Sequence, residues 1–400
     1  MKMVFWGFRG CYLGGEAAKI ARYKALPTKP SVKRGNCVQN RIMVIVITLL
    51  TMTLSSVGKA NGQQTENSAF AVTGDLHGGV PVISGLDVSK LQVGRHHFYF
   101  QAGRTSSGQP LLVPVIVIRG ALPGKRLSLT AAVHGDELNG IAVIHRLLET
   151  IEADNLTGTI LALPGVNQTG LVANSRHFWS SGGGGTQTDP NRIFPGTLTG
   201  GGTAERFVGA VWHSILRNNV DIAVDLHTQT TGSKYPLFVF ADFRNAKAKD
   251  IAFALMPDLI KDDSGQEGTL ETTFLKAAIP AVTFEVGGPK MFQDGMVARA
   301  VEGLKNMMVA EGMVEGERRS PAVAPFVGSR YTNIEAEEAG TAVLKVKLLD
   351  SVEKGQLIAV TLDPFGGEIR RYFAPHDGRV LAVATDPLRE AGAMLVRILR

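Results

Sequence analysis

The sequence predicts an α/β fold, a mainly parallel mixed sheet with helices on both faces, followed by a small all-β barrel or sandwich domain. Two observations carry that prediction. Short runs rich in Val, Ile, Leu, Phe and Ala ("RLSLTAAV", "GTILALPGV", "DIAVDLH", "YPLFVFAD" and "AVTFEVG") alternate with amphipathic segments such as 137–151 and 203–217. Strands that read as near-continuous apolar runs are buried on both faces, and the helices between them supply the cover. The helical pattern then stops at the charged, Pro-containing stretch "AEGMVEGERRSPAVAP" at 310–325. Beyond it, "TAVLKVKLL", "QLIAVTL", "EIRRYFAP", "GRVLAVAT" and "AMLVRIL" read as short strands between Gly, Pro and Asp turns.

In chain order, the first element is a leader. "RIMVIVITLLTMTLSSVGKANG" sets Arg41 before an apolar run from Ile42 to about Val57, with small residues at Gly58 and Ala60 spaced for cleavage before Asn61. The run is short for a membrane span of roughly 20 residues, and an uncleaved N-terminal anchor is the rival reading. "RHHFYFQA" and "PLLVPVIVIRG" follow as strands joined by the turn "RTSSGQP". "SSGGGGTQ" at 180–187 is a loop inside the α/β region, because the alternation resumes after it. The expected organisation is a leader with signal peptide over 1–60, a catalytic domain over 61–318 and a C-terminal β domain over 326–400.

Charge and cysteine usage narrow the function. Of 42 Lys/Arg and 36 Asp/Glu, ten and one fall in residues 1–60, so residues 61–400 carry a formal charge of −3 despite the +6 of the whole chain. That leaves no strong electrostatic footprint for nucleic acid. Both cysteines, Cys11 and Cys37, precede the cleavage motif. A chain cut there has no thiol for disulfides, thiolate metal sites or cysteine catalysis.

The strand ends hold the chemistry. His134 and Glu137 follow one strand, His227 ends "DIAVDLH", and Glu285 ends "AVTFEVG". In an open α/β sheet, ligands bind beyond the carboxyl ends of the strands. Two imidazoles and a carboxylate suit a tetrahedral Zn²⁺ that keeps a fourth position for water, one ion per chain. A further carboxylate can then act as base, so the expected ligands are His134, Glu137 and His227, with Glu285 as the base. Asp225 is expected to hold His227 in one tautomer. His77, His96, His97, His145, His177, His213 and His376 lack this placement and read as structural or surface residues.

"HGDE", "DPNRIFPG" at 189–196, "DLHT" at 225–228 and "FEVGG" at 284–288 occur in that order, and the set resembles the succinylglutamate desuccinylase/aspartoacylase family of the zinc carboxypeptidase clan. The resemblance spans roughly residues 85–310, and the β-rich tail is similar to that family's C-terminal domain. It implies a zinc-carboxypeptidase-like fold, zinc at His134, Glu137 and His227, and Glu285 as base and proton shuttle. It further implies that Asn191 and Arg192 grip a substrate carboxylate, and that Arg176 in "ANSRHFW" stabilises the developing oxyanion. Here "WSSGGGGTQT" lengthens the path between Arg176 and "DPNR", a departure from the family pattern. Of the tyrosines Tyr235, Tyr331 and Tyr372, none lies in a matching motif.

The expected function is an exported, periplasmic or secreted, zinc amidohydrolase that deacylates an N-acyl amino acid or a related carboxylate-bearing amide. Its partners would be small molecules, with no nucleic acid, no stable membrane span after cleavage, and a homo-oligomer left open. The alternative enzyme is a zinc carboxypeptidase on short or cell-wall peptides. The alternative of another class is a metal-free binding or adaptor protein, since the tail also resembles a lipoyl- or biotinyl-type β-sandwich. A carrier would need a lysine at its hairpin tip, where this chain has "APHDGRV".

Overall fold

The computed structural model describes residues 69–400. The leader and its cleavage motif lie outside the described residues. Eleven strands form one sheet. Numbered along the chain, they are β1 (Phe70–His77), β2 (Val80–Leu86), β3 (Gly94–Arg104), β4 (Pro110–Arg119), β5 (Leu122–Ala131), β6 (Thr157–Leu163), β7 (Ile222–His227), β8 (Leu237–Ala241), β9 (Leu259–Asp262), β10 (Ala281–Val286) and β11 (Phe326–Gly328). Their spatial order is β1, β2, β3, β4, β6, β5, β7, β10, β8, β9, β11.

The central strands β6, β5, β7 and β10 run parallel, and β4 and β8 flank them antiparallel. This is the mainly parallel mixed sheet that the apolar runs predict. The β3–β4 hairpin closes across "RTSSGQP" as its turn residues require.

Six helices cover the sheet: α1 (Asn139–Glu149), α2 (Gln168–Ala173), α3 (Thr203–Val211), α4 (Ala246–Ala254), α5 (Leu270–Lys276) and α6 (Asp294–Ala310). Alternation along each strand divides the core in two. Leu127, Leu129, Val224, Leu226, Phe284 and Val286 face one side, against Val143, Ile144 and Leu147 of α1 and Val297, Leu304 and Met307 of α6. Ala223, Ala281 and Leu161 face the other, against Phe207 and Val211 of α3 and Phe274 of α5. Helices therefore lie on both faces. Helix α1 begins at Asn139 rather than 137, after a turn closed by the Glu137 N–H donating to the His134 carbonyl at 3.2 Å, and after Val211 the chain continues as a π-helical turn over Trp212–Leu216.

The C-terminal part is a pair of small sheets around its own apolar core, which includes Ile358, Val380, Val396 and Ile398. It is continuous with the α/β part. β11 completes the edge of the large sheet beside β9, and a two-residue strand at Ser233–Lys234 pairs with Gly378–Ala384 of the C-terminal sheet. A shared cluster of Tyr235, Phe238 and Leu259 with Leu381, Ala382 and Leu399 seals the junction.

Leu381 is fully buried in that cluster. Leu381→Ala should therefore cost about 2–5 kcal/mol and lower one unfolding transition shared by both parts. Calorimetry checks this, and a separate low-temperature transition for the C-terminal sheets would contradict the shared core.

Candidate metal centre and its cavity

The site begins where β5 ends. Ala132 turns the chain with a left-handed φ of 54°, and the backbone N–H groups of Val166 and Asn167 donate to the carbonyls of Ala131 and Ala132 at 3.0 and 2.9 Å. Gly135 then presses on α2 so closely that a Cβ there would sit 2.0 Å from the Gly170 carbonyl carbon. Only glycine fits, and the turn swings His134 and Glu137 toward β7. Asn139 secures the far side, donating from Nδ2 to the Val286 carbonyl at 2.7 Å and accepting from the Gln293 N–H at 2.9 Å.

Parallel register supplies the rest. Thr130, Asp225 and Thr283 lie side by side across β5, β7 and β10, and His227 pairs with Glu285. These side chains share the sheet face that carries Ala223 and Ala281, the face toward α3 and α5.

His134, Glu137 and His227 are buried, and their ligand atoms lie within 4.8 Å of one another. Among the described residues no other trio of His, Cys, Asp or Glu converges this way. The two Nδ1 atoms are 3.1 Å apart. Glu137 sets Oε1 2.8 Å from one and Oε2 2.8 Å from the other. Each Nε2 faces a carboxylate, Asp225 at 2.8 Å for His227 and Asp189 at 3.1 Å for His134. Imidazoles that donate from Nε2 to these carboxylates and are neutral would turn both Nδ1 lone pairs toward each other and toward the Glu137 oxygens. Such a cluster of acceptors could hold a metal ion. Two nitrogens bound tetrahedrally at about 2.0–2.1 Å would be roughly 3.3 Å apart, so the donor set and its spacing fit a zinc ion.

The charges agree. Burial opposes ionisation of Glu137, but the His134 and His227 imidazoles outweigh it and hold the carboxylate well below its usual range. Burial likewise opposes protonation of His227, and Asp225 and Glu137 overcome it, so a proton serves as the cation there until a metal displaces it. Burial pushes the Glu285 carboxyl well above its usual range, with His227 opposing. Its Oε2 is buried without a hydrogen-bond partner.

The residues expected from the sequence come together here. Asp225 also accepts from Thr130 Oγ1 at 2.6 Å. Arg176 donates from Nη1 to Glu137 Oε1 at 3.1 Å and from Nη2 to Asp189 Oδ2 at 3.0 Å, so the long glycine loop does not carry it away. Asn191 is buried and spends its Oδ1 on the Leu270 N–H at 2.8 Å, fastening the start of α5. Arg192 lines the cavity and donates to the Asn191 carbonyl.

Four residues were missed by sequence reasoning. Asp189 sits inside "DPNR", where an Asp before Pro reads as a turn cap; it does cap the Asn191 N–H at 2.9 Å, while the same oxygen faces His134. Tyr331 and Arg397 reach the cavity wall from the C-terminal sheets, and Glu271 from α5. No local pattern marks them, since their placement depends on packing between distant segments. The cavity itself, about 250 Å³, is below the roughly 300–1,000 Å³ of drug-sized ligand sites.

The fold and the donor set define a class, an α/β domain with a buried His–Glu–His group able to hold a metal ion at the carboxyl ends of its parallel strands. Residues 123–310 match the model of the Succinylglutamate desuccinylase/Aspartoacylase catalytic domain. The N-alpha-acetyl-L-2,4-diaminobutyric acid deacetylase of Halomonas elongata is 26% identical over 295 residues, covering 69% of this chain and 82% of that one. The fold is also that of the product-bound ectoine utilization protein EutE (DoeB) from Ruegeria pomeroyi, with a TM-score of 0.68 at 23% identity over 77% of this chain and 96% of that one. A succinylglutamate desuccinylase/aspartoacylase from Rhodobacter sphaeroides gives a TM-score of 0.67 at 21% identity, with coverage of 77% and 96%.

Burial raises the Glu271 carboxyl from 4.5 to about 8, with Thr283 partly opposing. A folded chain that keeps this proton to higher pH than the unfolded chain loses stability as pH rises from about 4.5 to 8. The slope is at most about 1.4 kcal/mol per pH unit. Glu271→Gln keeps the shape without the titration, so its stability relative to the native chain should rise from pH 5 to 8. Denaturant unfolding across that range checks the sign, and a pH-independent difference would contradict it.

Proposed function

We propose that this protein is an exported, zinc-dependent amidohydrolase that deacylates an N-acyl amino acid or a related carboxylate-bearing amide. The observation that carries the reading is the convergence of two Nδ1 atoms and the Glu137 carboxylate beside the unpartnered Glu285 oxygen, in a cavity too small for a long peptide. The deacetylase relative supports the reaction class. The carboxypeptidase alternative gains no support from a cavity of this size. Export rests on Arg41, the apolar run to Val57 and the Gly58/Ala60 pair. No helix among the described residues is long and apolar enough to cross a membrane.

His134, Glu137 and His227 would hold the zinc, which supplies Lewis acidity toward the amide carbonyl and makes water easier to deprotonate. The protein's own groups do the rest. Asp225 and Asp189 accept from the Nε2–H groups and so keep both Nδ1 lone pairs on the metal side. Glu285, whose Oε2 is buried without a partner in the cavity wall, takes a proton from the attacking water and delivers it to the leaving nitrogen. Arg176, fixed by Asp189 and Glu137, presents its guanidinium to the oxyanion that develops on the acyl carbon. Arg192, which has no carboxylate within ion-pair distance among the described residues, is free to take the substrate carboxylate, with Asn191 fixing the loop beneath it.

Elemental analysis should find one zinc per chain in the native protein and in Glu285→Gln, and none in His227→Ala. Glu285→Gln should lower kcat by roughly 10²–10⁴. Loss of zinc from Glu285→Gln together with its retention in Glu137→Gln would exchange the roles of the two carboxylates. Arg192→Ala should act differently, raising KM at least tenfold for N-acetyl amino acids with a smaller change in kcat, because it removes binding shared by ground and transition states. Steady-state kinetics on an N-acetyl amino acid panel separates the two effects.

A further inference from the structure

The turn that carries His134 and Glu137 has two middle residues, and only one is accounted for by space: Gly135 sits too close to α2 for any side chain. The other is Asp136. His134 and Glu137 line the metal cavity and Asp136 does not, yet it is only 2% exposed. Its Oδ2 accepts from Thr231 Oγ1 at 2.6 Å, and its Oδ1 is buried with no hydrogen-bond partner. Its carbonyl accepts from the Lys290 N–H at 2.8 Å. An aspartate in a turn ordinarily bonds its own backbone two residues on. Burying one with an oxygen left over is costly, and the turn itself has no need of it.

The segments that Asp136 joins give its role. Thr231 lies four residues beyond His227, between β7 and β8, and Lys290 five residues beyond Glu285, between β10 and α6. The site takes its groups from the ends of β5, β7 and β10, and Asp136, just past β5, touches the segments that follow the other two. A second tie across this gap, the Thr228 N–H donating to Glu137 Oε2 at 2.9 Å, uses an oxygen of the donor set itself. The Asp136–Thr231 bond uses none. It holds the 134–137 turn against the β7–β8 segment without competing with an ion for a donor atom. Thr231 is exposed, so a surface side chain closes over the buried carboxyl.

We propose that Asp136 is a positioning residue that sets the spacing between the 134–137 turn and His227, and with it the affinity and geometry with which the His–Glu–His group takes a divalent metal ion. This role rests on the metal-binding part of the proposed function and is independent of the substrate. Without the Thr231 hydroxyl the carboxyl has no donor at all, and the turn loses its fixed distance from the β7–β8 segment. Asparagine at 136 keeps a side-chain oxygen for Thr231, and serine at 231 keeps the hydroxyl.

The test is zinc affinity by chelator competition on metal-stripped protein, with the visible absorption of the cobalt-substituted form as a reporter of donor geometry. Asp136→Ala and Thr231→Val should each weaken zinc binding about tenfold or more and shift the cobalt bands, whereas Asp136→Asn and Thr231→Ser should stay close to the native value. The double variant Asp136→Ala/Thr231→Val should bind no more weakly than the weaker single variant, because both remove the same contact. A merely structural role would lower the unfolding midpoint and leave the affinity of the folded chain unmoved. Should Asp136→Ala fail to fold, Thr231→Val, at an exposed position, decides. Native affinity in Thr231→Val, or losses that multiply in the double variant, would overturn the proposal and leave the metal reading standing. A native chain that takes up no zinc would remove both, and a zinc-loaded chain that hydrolyses no N-acetyl amino acid would remove the deacylase reading alone.

Discussion

Two imidazole nitrogens held 3.1 Å apart, with one carboxylate against both, repel unless a cation lies among them, and much of the architecture exists to hold them in that position. The repulsion cannot be relieved by tilting a ring, because Asp225 and Asp189 fix each imidazole from behind. Nor can the backbone retreat. His227 belongs to a strand hydrogen-bonded on both sides, and His134 to a turn pinned at Gly135 against residues 170–171. Rigidity of this kind keeps the three groups converged, with Glu137 within 2.8 Å of both Nδ1 atoms.

Burial and charge work together around that core. The polar row on β5, β7 and β10 occupies strand positions that would otherwise be apolar, directly beneath α5. Two pairs are matched there, Thr130 to Asp225 and Thr283 to Glu271. One oxygen of Glu285 and one of Glu271 are left over in residues that line the cavity, and Ser128 Oγ is left over on the same sheet face away from it.

Much of this was legible in the sequence, for reasons that also mark its limits. Strand alternation with helices is a local signal, and the parallel sheet follows from it. The ends of parallel strands converge by topology, so His134, Glu137, His227 and Glu285 could be brought together without knowing any distance. Arg176 and Arg192 became visible only through ordered motifs that resemble a family. Asp189 was hidden by its second role as a turn cap, and Glu271 by a position where glutamate is ordinary. Tyr331 and Arg397 were out of reach, since nothing in a strand of a separate sheet records which cavity it will border.

The strand at Ser233–Lys234 lies within the segment that joins β7 to β8, and that same segment carries Thr228, Gln229, Thr230 and Tyr235 along the cavity wall. By pairing with Gly378–Ala384 it makes the C-terminal sheet a splint for the cavity. Any shear of the small sheets against the large one is transmitted through a few residues of backbone to the walls around His134, Glu137 and His227. The C-terminal part is in this respect a mechanical member of the site, and sequence drift on its outer strands is free only as long as the splint stays aligned.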